Sequence, residues 1–169
     1  SQIIQQKYGH LDYVSDITAI AEKDGSFDAV LCTEVLEHVP EPAKAIGEMA
    51  RLLKSGGRLV LTAPLGSFLH QIPYHYYGGF SPWWYYDFLS NAGFTDIKVE
   101  QNSGFFIFFG QECQRFTRIL FRGRRWTHPL KWFLLPLEGL FMAVFTILIP
   151  FCCHFLDKLI GTPEFTIGY

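Results

Sequence analysis

The stretch FDAVLCTEVLEHVPEP, residues 27–42, contains the pattern that decides the fold. An apolar run of strand length, 27–33, follows the turn signal KDGS and leads directly into two glutamates and a histidine. Two prolines close the stretch, and Pro42 suits the first turn of a helix. The stretch therefore predicts a buried strand, a polar exit from that strand and the start of a helix.

The segments on either side alternate between helix and strand patterns. Apolar residues at helical spacing predict a helix over 41–54, and two glycines follow its end. A serine followed by proline starts a second helix, predicted over 81–94. Further strands are predicted over 11–14, 58–64 and 95–101. This order predicts βαβ units and a mostly parallel sheet.

The composition indicates one domain with a core and an additional apolar segment. The chain has 169 residues, of which 49% are hydrophobic and 18% are charged, below the usual fraction of about a quarter. Its net charge of −2 gives no bias toward nucleic acid, so no nucleic-acid partner is expected. The four cysteines lack the spacing of a zinc or disulfide motif and indicate reduced thiols in a cytoplasmic protein.

The region after residue 103 has a different character. Residues 105–121 predict one amphipathic helix, and residues 132–156 contain a single charge, Glu138. A basic segment with two tryptophans leads into the apolar one; it contains Arg115, Arg118, Arg122, Arg124, Arg125, Trp126, Lys131 and Trp132. Cations and indoles beside an apolar helix are typical of a membrane interface, so residues 115–156 are expected to contact a membrane surface.

Three arrangements of the apolar segment stay open: a monotopic or re-entrant insert, a helical cap buried on the sheet, and a membrane span. Residues 164–169 predict a strand that has to return to the sheet. A single span would place that strand on the far side of the membrane from its partners. The monotopic or re-entrant insert is therefore favoured.

Residues 12–101 resemble the second half of a class I S-adenosylmethionine-dependent methyltransferase of the type 11 family. The resemblance is carried by the opening stretch, by E-x-x-R-x-L-K-x-G-G at 48–57 and by HQIPYHYYGGFSPWW at 70–84. It implies an α/β fold with a Rossmann-like sheet and methyl transfer from S-adenosylmethionine to a small-molecule or lipid-like acceptor. The rival hypothesis is a membrane-associated binding module with a degenerate methyltransferase fold.

The resemblance also implies that the family's first strands and its G-x-G-x-G loop are missing from this sequence. We therefore expect an N-terminally truncated fragment that is inactive alone. The expected organisation is a methyltransferase core over 1–103, a hydrophobic and basic helical insertion over 104–160, and the start of the final strand over 161–169. The expected location is the cytoplasm, with peripheral attachment to the cytoplasmic face of the membrane.

The resemblance assigns the cofactor contacts to two regions. Asp16 is expected to accept a hydrogen bond from the adenine amino group, and Ile17 to contact the ring. Cys32, Thr33 and Glu34 follow at the carboxyl end of the strand over 27–33, where open α/β sheets bind ligands. The alternatives are that Asp16 only caps a turn and that Cys32 is a buried apolar residue.

Glu34, Glu37 and His38 are spaced i, i+3, i+4 and share one face if the chain is helical after Thr33. Three uses stay open: a site for Mg²⁺ or another divalent ion, a pocket rim ordered by hydrogen bonds, and acid–base chemistry. Some ubiquinone-biosynthesis and small-RNA methyltransferases have a similar E-x-x-E-H segment. The rim is favoured and no metal is expected, with Mg²⁺ at these three residues as the alternative.

A loop rich in histidine and aromatic residues, 66–84, follows the strand predicted over 58–64 and overhangs the same cleft. His75 and His70 are candidates for the base that deprotonates the acceptor, because imidazole titrates near neutral pH. Tyr74, Tyr76 and Trp83 are expected to shape the acceptor pocket. The alternative is an aromatic lid whose histidines only form structural hydrogen bonds.

Overall fold

The computed structural model describes residues 11–122, 131–161 and 168. The chain divides into two units, Ser1–Glu100 together with Tyr169, and Gln101–Gly168. The first unit contains the strands and the motifs discussed above, and the second is helical.

The sheet in the described part of the chain has two parallel strands, β1 (Phe27–Thr33) and β2 (Leu53–Thr62). Their register is regular from the pair Ala29 and Arg58 to the pair Thr33 and Thr62. Before that, the KSGG segment bulges out of β2, so the regular part of β2 begins near the predicted residue 58. The strand over 27–33 and the parallel pairing are therefore confirmed. The predicted burial of this strand is wrong, because Cys32 is its one buried residue and Leu31 is 71% exposed.

Two helices and one short turn complete the first unit. They are a 3₁₀ turn (Leu36–His38), α1 (Pro42–Leu52) and α2 (Pro82–Asn91). The Ser81 hydroxyl oxygen accepts a hydrogen bond from the backbone N–H of Trp84 at 3.3 Å, so the predicted serine cap is confirmed. The core joins these elements through Cys32, Leu36, Val39, Ala45, Ile46, Met49, Ala63, Phe80, Tyr85 and Leu89.

Two of the predicted strands are wrong. Residues 11–14 form no strand, and Tyr13 and Val14 are exposed. Residues 95–101 also form no strand, although Ile97 and Val99 pack against the core as their alternation predicts. Alternating apolar residues select a face, but a strand also needs a partner backbone, and the residues that the structure describes provide none here.

The second unit is built from α3 (Phe105–Leu120) and a long helical stretch. That stretch comprises α4 (Lys131–Ala143), a π-helical segment (Val144–Leu148) and α5 (Ile149–Ile160). Pro150 explains the π-helical segment, because proline has no N–H to donate to the carbonyl oxygen of Thr146 four residues earlier. The side-chain amide of Gln114 in α3 donates to that oxygen instead, at 3.1 Å.

A single carboxylate holds the start of α3. Asp157 of α5 accepts hydrogen bonds from the backbone N–H groups of Gly104, Phe106 and Ile107, at 2.9, 3.2 and 3.3 Å. An anion at a helix N-terminus satisfies donors that have no partner within the helix. Farther along, a Cβ on Gly110 would lie 3.2 Å from Pro150, so this glycine permits close packing of the two helices.

The helix Leu135–Ile160 has the length and the apolar composition to cross a membrane, and 6% of its most apolar 18-residue stretch is buried. The strand predicted over 164–169 lies outside the described residues except for Gly168, whose carbonyl oxygen accepts from Asn102 N–H at 2.9 Å. Arg124, Arg125 and Trp126 also lie outside them.

Candidate functional site

The polar stretch after β1 leaves the sheet through a sharp turn. The backbone N–H of Glu34 donates to the carbonyl oxygen of Thr62 at 2.9 Å, which extends the parallel pairing by one bond. Glu34 itself has a φ of +53°, in the left-handed region that residues with a Cβ seldom adopt. The chain therefore turns at Glu34 before the 3₁₀ turn begins.

This turn separates the two glutamates. The Glu34 side chain is exposed and its Oε1 accepts from the Thr62 hydroxyl at 3.1 Å. Glu37 is 1% exposed. The predicted common helical face for Glu34, Glu37 and His38 is wrong, because a left-handed residue followed by a three-residue turn does not continue an α-helix.

A closed loop, residues 65–79, covers the strand exit. Two backbone hydrogen bonds close its base: Ser67 N–H to Gly78 O at 2.6 Å, and Phe80 N–H to Pro64 O at 2.8 Å. The base is tight, since a Cβ on Gly79 would lie 1.8 Å from the carbonyl oxygen of Leu65. The loop is therefore a defined structure that presents its side chains from fixed positions.

The loop is also hydrogen-bonded to the 3₁₀ turn. The backbone N–H groups of Tyr76 and Tyr77 donate to the carbonyl oxygen of Glu37, at 2.9 and 3.3 Å. The Nδ1 of His38 lies 2.5 Å from the carbonyl oxygen of Tyr74. These contacts bring the E-x-x-E-H segment and the histidine-rich loop, which are some thirty residues apart in sequence, into one site.

Three histidines meet there. The ring centroids of His38 and His70 are 4.7 Å apart, those of His70 and His75 are also 4.7 Å apart, and His38 and His75 are at 5.9 Å. Nδ1 of His70 lies 2.8 Å from the carbonyl oxygen of Phe68, and Nε2 of His75 lies 3.0 Å from the Ser67 hydroxyl. His70 and His75, the two candidate bases, are thus neighbours, and His38 joins them.

Cys32 is 6% exposed. Burial raises the pKa of its thiol to about 11, and the Glu37 carboxylate adds to the rise. A neutral buried thiol is neither a nucleophile nor a metal ligand. Cys32 therefore lies among the apolar residues of the core with a neutral thiol, while the adjacent Thr33 is exposed at the strand end.

Asp16 is exposed and forms a local turn. Its Oδ1 accepts from the backbone N–H of Thr18 at 2.8 Å and from the Thr18 hydroxyl at 2.7 Å. These hydrogen bonds lower the pKa of Asp16, so the carboxylate is ionised at neutral pH. The neighbouring Ile17 lines a largely apolar cavity of about 420 Å³ beside Phe27 and Val30 of β1. That cavity lies toward the amino-terminal half of β1 rather than at the strand ends.

Arg51 of α1 is an important residue that the sequence interpretation did not single out. Its guanidinium donates to both carboxylate oxygens of Glu48, to Asp24 and to two backbone carbonyls, those of Ile20 and Glu22, at 2.6–3.0 Å. Its five N–H groups therefore hold the loop that follows Asp16 against α1. The i, i+3 spacing of glutamate and arginine in the E-x-x-R motif could have predicted the ion pair between Glu48 and Arg51.

The aromatic residues proposed for the acceptor are all exposed. Tyr74 is 64% exposed, Tyr76 48% and Trp83 75%. Trp84, the residue after Trp83, packs instead against Phe80, with ring centroids 4.5 Å apart. The backbone of both tyrosines is hydrogen-bonded to the 3₁₀ turn, while their side chains, like that of Trp83, are exposed.

The family model described as "Methyltransferase domain" matches residues 2–61. Ubiquinone biosynthesis O-methyltransferase of Xanthomonas oryzae pv. oryzae (strain PXO99A) is 62% identical over 42 residues, which are 25% of this chain and 18% of that relative. The chain thus aligns with less than a fifth of the length of this curated relative.

Among solved structures, the [4+2]-cyclase SpnF superimposes with a TM-score of 0.49 and 22% identity, over 79% of this chain and 48% of that one. Phosphoethanolamine N-methyltransferase 2 of Haemonchus contortus gives a TM-score of 0.45 and 16% identity, over 84% and 33% of the two chains.

The matched residues 2–61 contain β1, the 3₁₀ turn, α1 and nearly all of β2. Parallel strands joined by a helix, with polar residues at their carboxyl ends, fit the Rossmann-like fold of that family. Residues 2–61 therefore match part of a methyltransferase domain of the type 11 family. The resemblance found in the sequence is thus confirmed.

Proposed function

We propose that the protein transfers a methyl group from S-adenosylmethionine to a hydroxyl oxygen of a small-molecule or lipid-like acceptor. The observation that carries this proposal is the family match over residues 2–61, which includes the whole polar exit from β1. The oxygen acceptor is supported by the name O-methyltransferase given to the relatives that are about 60% identical over 42 residues.

The proposed cofactor contacts are Asp16, Ile17, Cys32, Thr33 and Glu34. Thr33 and Glu34 are supported by their position at the carboxyl end of β1. Asp16 precedes a loop that Arg51 holds in place, whereas Ile17 lines the cavity beside the amino-terminal half of β1. The Oδ1 of Asp16 is used within its turn, so the contact to adenine would involve its other oxygen. When bound, S-adenosylmethionine supplies a methyl carbon that is open to nucleophilic attack.

The proposed base is His75 or His70. One of these imidazoles would take the proton from the acceptor O–H, so that the acceptor oxygen could receive the methyl group that the bound cofactor would supply. The closed loop supports this role because it holds both rings beside the strand exit. Tyr74 and Tyr76 on the same loop are proposed to contact the acceptor, together with Trp83.

Calorimetry with S-adenosylhomocysteine on the full-length protein tests the cofactor part. We expect low-micromolar affinity, and we expect Asp16→Ala to weaken it about tenfold, the effect of losing roughly one hydrogen bond. Asp87→Ala, an exposed aspartate on α2, is the matched control and should bind as the wild type does. Equal affinity in both variants would remove Asp16 from the site, and no binding by the wild type would refute the proposal.

The rival hypothesis of a degenerate binding module receives no support from the comparisons. It predicts a protein that binds neither S-adenosylmethionine nor S-adenosylhomocysteine in its full-length form. The calorimetric experiment on the wild type therefore also discriminates between the two classes.

We further propose that residues 115–156 attach the protein to the cytoplasmic face of a membrane as a monotopic or re-entrant insert. Many of the large apolar side chains of the long helical stretch are exposed, among them Leu137, Ile147, Phe151 and Leu159. Burial of apolar surface is worth about 25 cal/mol per Å², so exposure of this whole face to water is costly. The basic residues of α3, Arg115 and Arg118, support a surface with anionic headgroups.

Flotation with vesicles of phosphatidylcholine and phosphatidylglycerol tests this attachment. We expect part of the binding to weaken with salt and part to persist, and we expect Phe151→Lys to reduce it. Tyr86→Lys, an exposed aromatic residue of the other unit, is the control. The exposed Cys152 should also react more slowly with a water-soluble maleimide once vesicles are added. A protein that never floats, with unchanged Cys152 labelling, would refute the attachment.

A further inference from the structure

We propose that Glu37, His38 and His70 form a binding site for a divalent transition-metal ion such as Zn²⁺. One ligand atom from each of these side chains lies within 4.8 Å of the other two. Two imidazoles and one carboxylate are a common set of three protein ligands, which leaves a fourth position for water or an acceptor oxygen. The site differs from the one considered from sequence, because it takes His70 from the loop and leaves out Glu34.

The hydrogen bonds of the two histidines fix the nitrogen that each presents. A carbonyl oxygen can only accept, so Nδ1 of His38 donates to Tyr74 O and Nδ1 of His70 donates to Phe68 O. In the neutral rings, both Nε2 atoms then carry free lone pairs. Ligating histidines commonly donate their other N–H to a backbone carbonyl in this way, which orients the ring.

Glu37 provides an independent sign that a ligand belongs there. Its side chain is 1% exposed, and its Oε2 has no hydrogen-bond partner among the residues that the structure describes. Burial of a carboxylate without a full set of partners is unfavourable in solvation free energy, and a bound cation would offset that loss. Its other oxygen, Oε1, faces Nε2 of His38 at 3.7 Å.

The spacing of these atoms suits a small ion. Ligand atoms at about 2.05 Å from a tetrahedral metal are roughly 3.3 Å apart, close to the 3.7 Å between Glu37 Oε1 and His38 Nε2. The full set of three ligand atoms lies within 4.8 Å, so these side chains would have to move closer together around a bound ion.

The ligand types select the ion. Imidazole nitrogen suits Zn²⁺ and its neighbours in the transition series, whereas Mg²⁺ prefers oxygen ligands and retains its water. Glu34 is not part of the set because its Oε1 accepts from the Thr62 hydroxyl and its side chain is exposed. With His70 as a ligand, His75 is left as the candidate base.

The proposal does not depend on methyl transfer, and metal binding tests it directly. The chelator-treated full-length protein is titrated with Zn²⁺ in competition with a chromophoric chelator. We expect one equivalent to bind with a submicromolar Kd, and millimolar Mg²⁺ to leave it in place. His38→Gln and His70→Gln should each reduce the affinity by more than the roughly 10–100-fold that loss of an outer-shell partner causes.

Two matched variants serve as controls: His154→Gln, an exposed histidine of α5, and Glu34→Gln should bind Zn²⁺ as the wild type does. Loss of binding in Glu34→Gln, or full binding in His70→Gln, would overturn the assignment. X-ray absorption of the Zn²⁺-loaded wild type gives a measurement that needs no variant to fold. Two imidazoles in its first shell support the site, and none or one refutes it.

Discussion

Gly79→Ala should open the base of the loop over residues 65–79. The new Cβ would lie 1.8 Å from the carbonyl oxygen of Leu65, whereas an ordinary contact begins at 3.4 Å, so a backbone segment has to move by about 1.5 Å. Overpacking of this kind costs about 1–3 kcal/mol. Loss of the Phe80 N–H to Pro64 O bond adds about 1 kcal/mol.

The expected loss of about 2–4 kcal/mol corresponds to a fall in Tm of roughly 10–25 °C for a unit of this size, measured by circular dichroism. Gly78→Ala is the matched control, because its Cβ would meet only Ser67 O at an ordinary 3.7 Å. We expect the control to melt within about 3 °C of the wild type. Equal melting temperatures for the two alanine variants would show that the loop base is not closed as described.

Two further predictions concern residues that hold one segment against another. Arg51→Met should free the loop after Asp16, so that trypsin cleaves at Lys23 faster than in the wild type. Lys44→Met removes only an exposed ion pair of the same helix and should leave the rate of cleavage at Lys23 unchanged. Asp157→Ala should destabilise the helical unit by about 1 kcal/mol in chemical unfolding, with Asp157→Asn in between, and equal stability of all three proteins would contradict the capping role.

The elements that the sequence predicted well are those with local signals. Pro42 and Ser81 mark helix starts by the chemistry of the first turn, and the run over 27–33 is apolar except for Asp28 and Thr33. The failures at 11–14 and 95–101 have one cause: a strand needs a partner backbone distant in sequence, and alternation does not show whether that partner is present.

The candidate site was predictable only in part. Its position at the end of β1 followed from the apolar run and from the rule that ligands bind at the carboxyl ends of strands. The meeting of His38 with His70 was not predictable, because it depends on how the loop folds back. The prediction of a common helical face for Glu34 and Glu37 was wrong because Glu34 has a positive φ. The spacing of residues in a sequence does not reveal such a dihedral angle.

The left-handed backbone of Glu34 also affects the balance between the folded and the unfolded chain. A residue with a Cβ loses about 1–2 kcal/mol in this conformation, and glycine does not. Glycine, however, gives the unfolded chain more conformational freedom, which costs folding roughly 0.5–1 kcal/mol. The two effects offset each other to within about 1 kcal/mol. The chain can therefore carry an acidic side chain where it leaves the sheet with little net loss of stability.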